Sequence, residues 1–463
     1  MTPFACAEPK RRESRARVLM APVSSVEWWR RVAQPSVGVH GARPPRPADN
    51  SVAFWALMTF TFILLLAPQA IFPALLPFRI ALLAAAVAAG AHVLSRVAAG
   101  RPIIIPTREM KIAACLLGWA VVTIPFSIWP GGSVGTLTDL FLKSLALLWL
   151  IANTVTSVSR FQQFAWGLTL MSMPIASTGF MHYRYGTFLQ NGVERIVGYD
   201  SPLASNPNDL ALTLNLIIPF TWALLGLTRG PLLRAALLAL LVLDVTAVVL
   251  TFSRAGFLTL AVILAIIVTR LLRSPKRVWG IAVLATLLLC LPLLSASYWQ
   301  RLATISSIES DPTGSAQVRR DLSLSALQFI LTHPVIGAGI GVGVLGFREQ
   351  GLQTWNDVHN VYLQYAVDLG LPGLGLFLAL LATCLASASA AGHRVGGGRD
   401  ARDAAHLAQA LWLSLVAFGV AALFHPVAYH FYFYYLAGLS AACRTIHGQG
   451  TRPETKSAAV HIG

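Results

Sequence analysis

Apolar runs of about 20 residues, the length that carries a helix across a bilayer, recur along this chain from Val52 to Cys443. That repetition narrows the fold more than any single motif does. Of 463 residues only 12% are charged, against roughly 25% in a typical globular protein, and 56% are hydrophobic. Length alone would allow about three soluble domains, but water could not solvate this surface. Lipid is the solvent for much of it, and the chain reads as an all-α polytopic membrane protein.

Twelve spans are expected, near 53–70, 78–98, 111–129, 134–152, 161–180, 208–227, 232–251, 256–272, 278–295, 361–385, 407–424 and 428–444. An even number puts both termini on one side. The basic residues test that count, because Lys and Arg collect in cytoplasmic loops. Of the 35, twenty-six fall on the side of the N-terminal tail, Lys143 lies inside the fourth span, and eight lie opposite: Arg79, Arg184, Arg195, Arg254, Arg301, Arg319, Arg320 and Arg348. Most of the net charge of +16 is therefore a topology signal, stabilised by anionic headgroups, and calls for no nucleic-acid partner. The eight outer arginines are not explained by orientation, so an anion-binding role is sought among them.

Residues 1–50 carry KRRESRAR and the proline-rich ARPPRPAD, too polar to offset the entropy of ordering, and are expected to form a disordered basic cytoplasmic tail. No cleavable signal is read there, and Met20 is an alternative start. The membrane domain is expected over 51–445 and a cytoplasmic C-terminal tail over 446–463. Two outer loops are long, 181–207 and 296–359, the latter about 64 residues by count. Within it, AQVRRDLSLSALQFILTHP places apolar residues at 318, 322, 326, 329 and 330, the spacing of an amphipathic helix lying on the membrane or over a cavity. Five scattered cysteines, Cys6, Cys115, Cys290, Cys384 and Cys443, imply no disulfide or metal framework.

Several short motifs interrupt the apolar background. VHNVYLQYAVDLGLPG sets His359 and Asn360 at the outer mouth of a span; a histidine suits general-base work near neutrality, while Asn360 could orient it or cap the helix. A merely polar helix start is the competing reading. TFSRAGF puts Arg254 at an outer span end, where its planar fork matches diphosphate oxygens, or where it snorkels to the headgroups. Arg319 and Arg320 are adjacent on a helix and point about 100° apart, so one faces the site and the other solvent. Tyr183, Arg184 and Arg195 could bind sugar or phosphate, or simply structure their loop. Gly341, Gly343 and Gly346 satisfy GxGxxG, but the run lacks the strand and helix a dinucleotide needs, so close backbone packing is the reading, with N–H groups near a diphosphate a further option. Asp139 and Lys143, four apart, are expected to pair on one helix face. His425 and His430 are five apart without a carboxylate cluster, which argues against a metal, and Asn208 or Asp209 is expected to cap the sixth span.

Together these motifs resemble the O-antigen ligase and polymerase superfamily of bacterial envelope glycosyltransferases, best over residues 160–390. The resemblance rests on HN-x-YLQ-x5-GLPG at 359–373, SRAG at 253–256, and the arginine fourteen residues before HPVIGAGIG, which is Arg319; Ser323 stands where the family often has an aromatic. It implies transfer of a glycan from undecaprenyl diphosphate to an acceptor hydroxyl on the periplasmic face of the inner membrane, with no metal, cofactor or nucleotide sugar. His359 would be the base, Arg254 and Arg319 would hold the diphosphate, and Asn360, Arg320, Arg184 and Arg195 would contact substrate. A ligase-like acceptor such as lipid A core is favoured by the single dominant outer loop, with a polysaccharide polymerase as the alternative. A small-anion transporter, the reading from a different class, would predict paired repeats with broken helices, and no similarity between the halves is seen.

Overall fold

The computed structural model describes residues 51–189, 195–275, 277–290, 315–349, 356–393 and 398–449, with 292 and 299 besides. The expected basic tail, the C-terminal tail beyond 449, Arg301 and much of the larger outer loop lie outside the described residues.

Among the described residues the elements are helical, in the order α1 Ser51–Leu66, α2 Pro68–Ile71, α3 Ile80–Ala98, α4 Arg108–Thr123, α5 Pro130–Thr136, α6 Leu142–Thr154, α7 Val158–Arg184 and α8 Pro207–Leu227. There follow α9 Pro231–Leu250, α10 Arg254–Leu272, α11 Arg277–Cys290, α12 Ser315–Thr332, α13 Gly343–Glu349, α14 Val361–Gly392, α15 Arg399–Ala421 and α16 Phe431–Gln449. A helix stands at each of the twelve expected positions, with α5 and α6 joined through a π-turn over Leu137–Phe141. Eight of them are long and apolar enough to cross a membrane; α1 and the described part of α11 are apolar but shorter. The chain is an all-α polytopic membrane protein.

Helix α8 is central. Its side chains from Leu210 to Thr221 are buried without a break, enclosed by α7, α9, α10 and α15. Two buried carboxyl groups find partners within the bundle, where lipid offers none: Ser172 of α7 donates to Asp244 of α9 at 3.0 Å, and Arg444 near the end of α16 meets the buried Glu109 of α4 at 3.0 Å. Lys143 and Asp139 do pair, at 3.6 Å, on an exposed face rather than in the interior. Such an exposed pair contributes little.

The long helix α14 is broken at Gly370, whose φ of 67° lies in the left-handed region. The break leaves carbonyls without helical partners, and each finds one elsewhere. Ala338 N–H donates to Val367 O at 2.8 Å, Gly339 N–H to Asp368 O at 2.9 Å, and the Trp119 indole N–H to Leu369 O at 2.8 Å. Leu371 N–H in turn donates to Pro334 O at 2.7 Å. The segment after α12 thus lies against the broken helix, which is what carries α12 to its place.

A Cβ at position 370 would collide with the Val335 carbonyl and force a left-handed non-glycine residue, costing roughly 1–2 kcal/mol before any collision. Gly375, in the same helix, faces open space. Gly370→Ala is therefore expected to lower the melting temperature of the detergent-solubilised protein by several degrees, while Gly375→Ala leaves it unchanged or slightly raised. Equal effects would show that the break is not a structural requirement.

Candidate functional site

Three helices begin at one end of the bundle, each behind a side-chain cap. Asn206 caps α8, its Oδ1 accepting from Asn208 N–H at 2.9 Å and Asp209 N–H at 3.0 Å. This corrects the expected cap at Asn208 or Asp209: Pro207 takes the first helical position, where its fixed φ and missing N–H cost nothing, so the cap falls one residue earlier. Ser253 caps α10 by accepting from Gly256 N–H at 3.2 Å, after a left-handed turn at Phe252 (φ 52°). Asn360 caps α14, accepting from Tyr362 N–H at 2.9 Å and Leu363 N–H at 3.1 Å.

Freed from capping, the Asn208 side chain ties these ends together. Its Oδ1 accepts from the Ser253 hydroxyl and from Arg195 Nη2, both at 2.9 Å. Arg254 follows directly as the first residue of α10, half-buried beside this junction. His425, in the turn after α15, lies on the other side of Asn208: its Nδ1 is 2.9 Å from Ala421 O and its Nε2 is 3.3 Å from Asn208 O. It is buried, and that burial lowers its pKa. Val361 N–H donates to Ala422 O at 2.7 Å, which locks the start of α14 onto the same turn.

His359 stands immediately outside the Asn360 cap. Its Nδ1 is 3.0 Å from the Asp357 carbonyl, which can only accept, so the proton sits on Nδ1 and Nε2 carries the lone pair. Burial first, and then the positive charge of Arg319, push its pKa down to about 4. At neutral pH it is an uncharged imidazole. Because the unfolded chain takes that proton near 6.5 while the folded chain resists until about 4, His359 withdraws stability as pH falls through that window.

Arg319 reaches this corner on α12, which seats Leu322, Ala326, Phe329 and Ile330 in a small core with Val342, Phe347 and Val367. Val318, expected on the buried face, is exposed, because the first turn of α12 overhangs that core. Arg319 is half-buried and Arg320 exposed, and the Ser323 hydroxyl donates back to Arg319 O at 2.8 Å. Arg184 is exposed at the end of α7, where the neighbouring Tyr183 ring stacks on Phe252.

The glycine run does not offer its N–H groups to an outside anion. Gly341 N–H and Gly343 N–H each donate at 3.1 Å to the carboxylate of Asp368, which also accepts from the Tyr429 hydroxyl at 3.1 Å. The diphosphate option at the glycines is thereby removed: an internal carboxylate already occupies them.

What the corner can do follows from its charges. Each helix N-terminus carries roughly half a positive charge. Three of them meet here with Arg195, Arg254 and Arg319, beside a neutral histidine with an open lone pair. Such an arrangement has the charge to attract an anion and a lone pair to accept a proton. Among the described residues no group of three or more His, Cys, Asp or Glu could hold a metal ion. One association was not legible in the sequence. Asp209 lies within electrostatic reach of His425 and His430 across the helix start, although neither histidine has a carboxylate near it in the chain. Testing the two histidines for a shared helix face missed a partner that comes from α8.

Residues 216–378 match the Wzy_C family model, described as O-Antigen ligase. That region holds Arg254, Arg319, Arg320, His359 and Asn360, and the match bears out the resemblance to the O-antigen ligase and polymerase superfamily read from the motifs. No curated protein matches the chain. Among solved structures, a chain from work on structural coordination of polymerization and crosslinking by a peptidoglycan synthase complex is similar at 18% identity, with a TM-score of 0.42, covering 74% of this chain and 98% of that one.

Arg319→Gln removes the second cause of the low His359 pKa. In a histidine-labelled NMR titration the midpoint of His359 is expected to rise from about 4 toward its ordinary 6.5. An unmoved midpoint would separate Arg319 from His359.

Proposed function

We propose that the chain is a ligase-like glycosyltransferase that moves a glycan from undecaprenyl diphosphate to an acceptor hydroxyl on the periplasmic face of the bacterial inner membrane, with both termini cytoplasmic. The observation that carries this reading is the neutral His359, its Nε2 lone pair open, set beside Arg319 at the meeting of three helix N-termini.

In the proposed reaction the acceptor hydroxyl gives its proton to His359 Nε2 as its oxygen forms the new bond to the anomeric carbon. The bond from that carbon to the diphosphate oxygen breaks, and the leaving diphosphate keeps the electron pair. Arg254 and Arg319, with the helix N-termini behind them, stabilise the charge that builds on it. Nothing in this scheme calls for a metal or nucleotide sugar. Asn360 commits its Oδ1 to the cap and acts by fixing His359 in place, and Arg195 acts by holding Asn208. Arg320 and Arg184, both exposed, are proposed to meet substrate from the solvent side. Lipid A core is the favoured acceptor on the strength of the one long outer loop, and a polymerase would use the same residues on a second lipid-linked repeat.

Purified protein incubated with undecaprenyl-diphosphate glycan and each acceptor tests the reading. His359→Ala is expected to lose transfer by about 100-fold or more, as when a general base is removed. Arg254→Lys and Arg319→Lys keep the charge but lose the fork, and are each expected to lose about tenfold or more. Arg320→Ala should matter less than either. Undiminished transfer by His359→Ala rejects the proposed base, and anion flux without any transfer rejects the enzyme reading in favour of a transporter.

A further inference from the structure

His425 has no part in the proposed reaction, yet it stands between the two halves of the charged corner. One half joins the starts of α8 and α10: the Ser253 hydroxyl, one residue before Arg254, donates to Asn208 Oδ1 at 2.9 Å, and Arg195 Nη2 donates to the same oxygen at 2.9 Å. The other half is the start of α14, where His359 precedes the Asn360 cap and Val361 N–H donates to Ala422 O at 2.7 Å. Ala422 belongs to the turn that follows α15, and His425 reaches from that turn to α8.

The ring is 2% exposed, and both of its nitrogens face backbone carbonyls. Nδ1 lies 2.9 Å from Ala421 O in its own turn, and Nε2 lies 3.3 Å from Asn208 O on α8. A carbonyl only accepts, and a neutral imidazole holds one N–H. The shorter contact takes that proton, so the ring donates from Nδ1 to Ala421 O and rests its far edge against the backbone of Asn208. Phe424 N–H donates to Ala421 O as well, at 2.9 Å, which closes the turn around the same acceptor. The bond fixes where the ring points, and the far edge of the ring then sets how closely the turn approaches α8.

That spacing matters to the proposed displacement. His359 must meet the acceptor hydroxyl on one side of the anomeric carbon while the arginines hold the diphosphate leaving on the other. Arg319 keeps company with His359, because Gly341 N–H and Gly343 N–H bind Asp368 and so tie the segment after α12 to α14. Arg254 belongs to the other half. A long arginine can follow a diphosphate through a small shift, but a base misplaced by about 1 Å can cost roughly 10²-fold in rate.

We propose that His425 is a positioning residue that sets the distance between the His359 and Arg254 halves of the site. Its effect on rate rests on the glycosyltransferase reading; its effect on the spacing does not.

Two amide variants separate the two contacts of the ring. His425→Asn puts an amide nitrogen where Nδ1 stands, keeping the bond inside the turn without reaching α8. His425→Gln puts one where Nε2 stands, able to donate to Asn208 O. In nanodiscs, His425→Asn is expected to lower kcat about tenfold or more with undecaprenyl-diphosphate binding kept within about twofold, whereas His425→Gln stays within about threefold of wild type in both. Spin labels at the exposed Ser205 and Leu423 report the spacing itself, which is expected to broaden in His425→Asn and to hold in His425→Gln. Equal kcat in the two variants, a larger loss in His425→Gln, or a loss confined to donor binding overturns the proposal. Should His425→Asn fail to fold, His425→Phe replaces it: the ring volume stays but neither carbonyl receives a proton, the same loss is expected, and wild-type kcat overturns the proposal. Absence of transfer by the wild-type protein would sink the glycosyltransferase reading alone. The label distances then decide the positioning role, and identical distributions in His425→Asn and His425→Gln reject it.

Discussion

Much of this molecule depends on one buried carboxylate beside one helix break. Gly370 interrupts α14 and releases three carbonyls. Asp368, two residues earlier, gathers two N–H groups of the glycine run and the Tyr429 hydroxyl. A buried carboxyl group is costly unless it is hydrogen-bonded, and here three donors surround it. Because those donors come from the segment after α12 and from the turn before α16, the interaction pins α12, α14 and α16 together at one end of the bundle. Arg319 rides on the first of these helices and His359 stands before the second. Their approach is thus a consequence of packing some residues away, in a part of the chain that touches no substrate in the proposed reaction.

The charged corner is built on the same economy of helix ends. Lipid forces polar groups to gather at the bundle's faces, and three N-termini there leave N–H groups and partial positive charge directed outward. Asn206, Ser253 and Asn360 satisfy part of that demand, and the arginines add to the field without crossing the hydrocarbon. Burial and the Arg319 charge act in one direction on His359, keeping it neutral where an exposed histidine would be partly charged. A cationic surface and an uncharged base are therefore compatible, since the first helps to produce the second.

The helices were legible because apolar runs of bilayer length have few competing explanations, and the short polar motifs stood out against them. His359, Asn360, Arg254 and Arg319 stand out in this way as candidates, and the expected difference between Arg319 and Arg320 matches their exposure. What escaped involved pairing over distance. The bond from Gly341 to Asp368 spans 27 residues and that from His425 to Asn208 spans 217, and no local spacing announces either. The Asn206 cap was legible in principle, since Asn followed by Pro is a helix start, but two further polar residues obscured it.

The central claim, that a neutral His359 accepts the acceptor's proton, is tested most directly by the pH dependence of kcat/KM for glycan transfer, which reports the free enzyme's ionisations. If the account holds, the rate stays level as the pH is lowered through 6.5, falls only near 4, and in Arg319→Gln falls at a higher pH on a lower plateau. An acid limb centred near 6.5 in the wild-type protein, unmoved by that substitution, would contradict it.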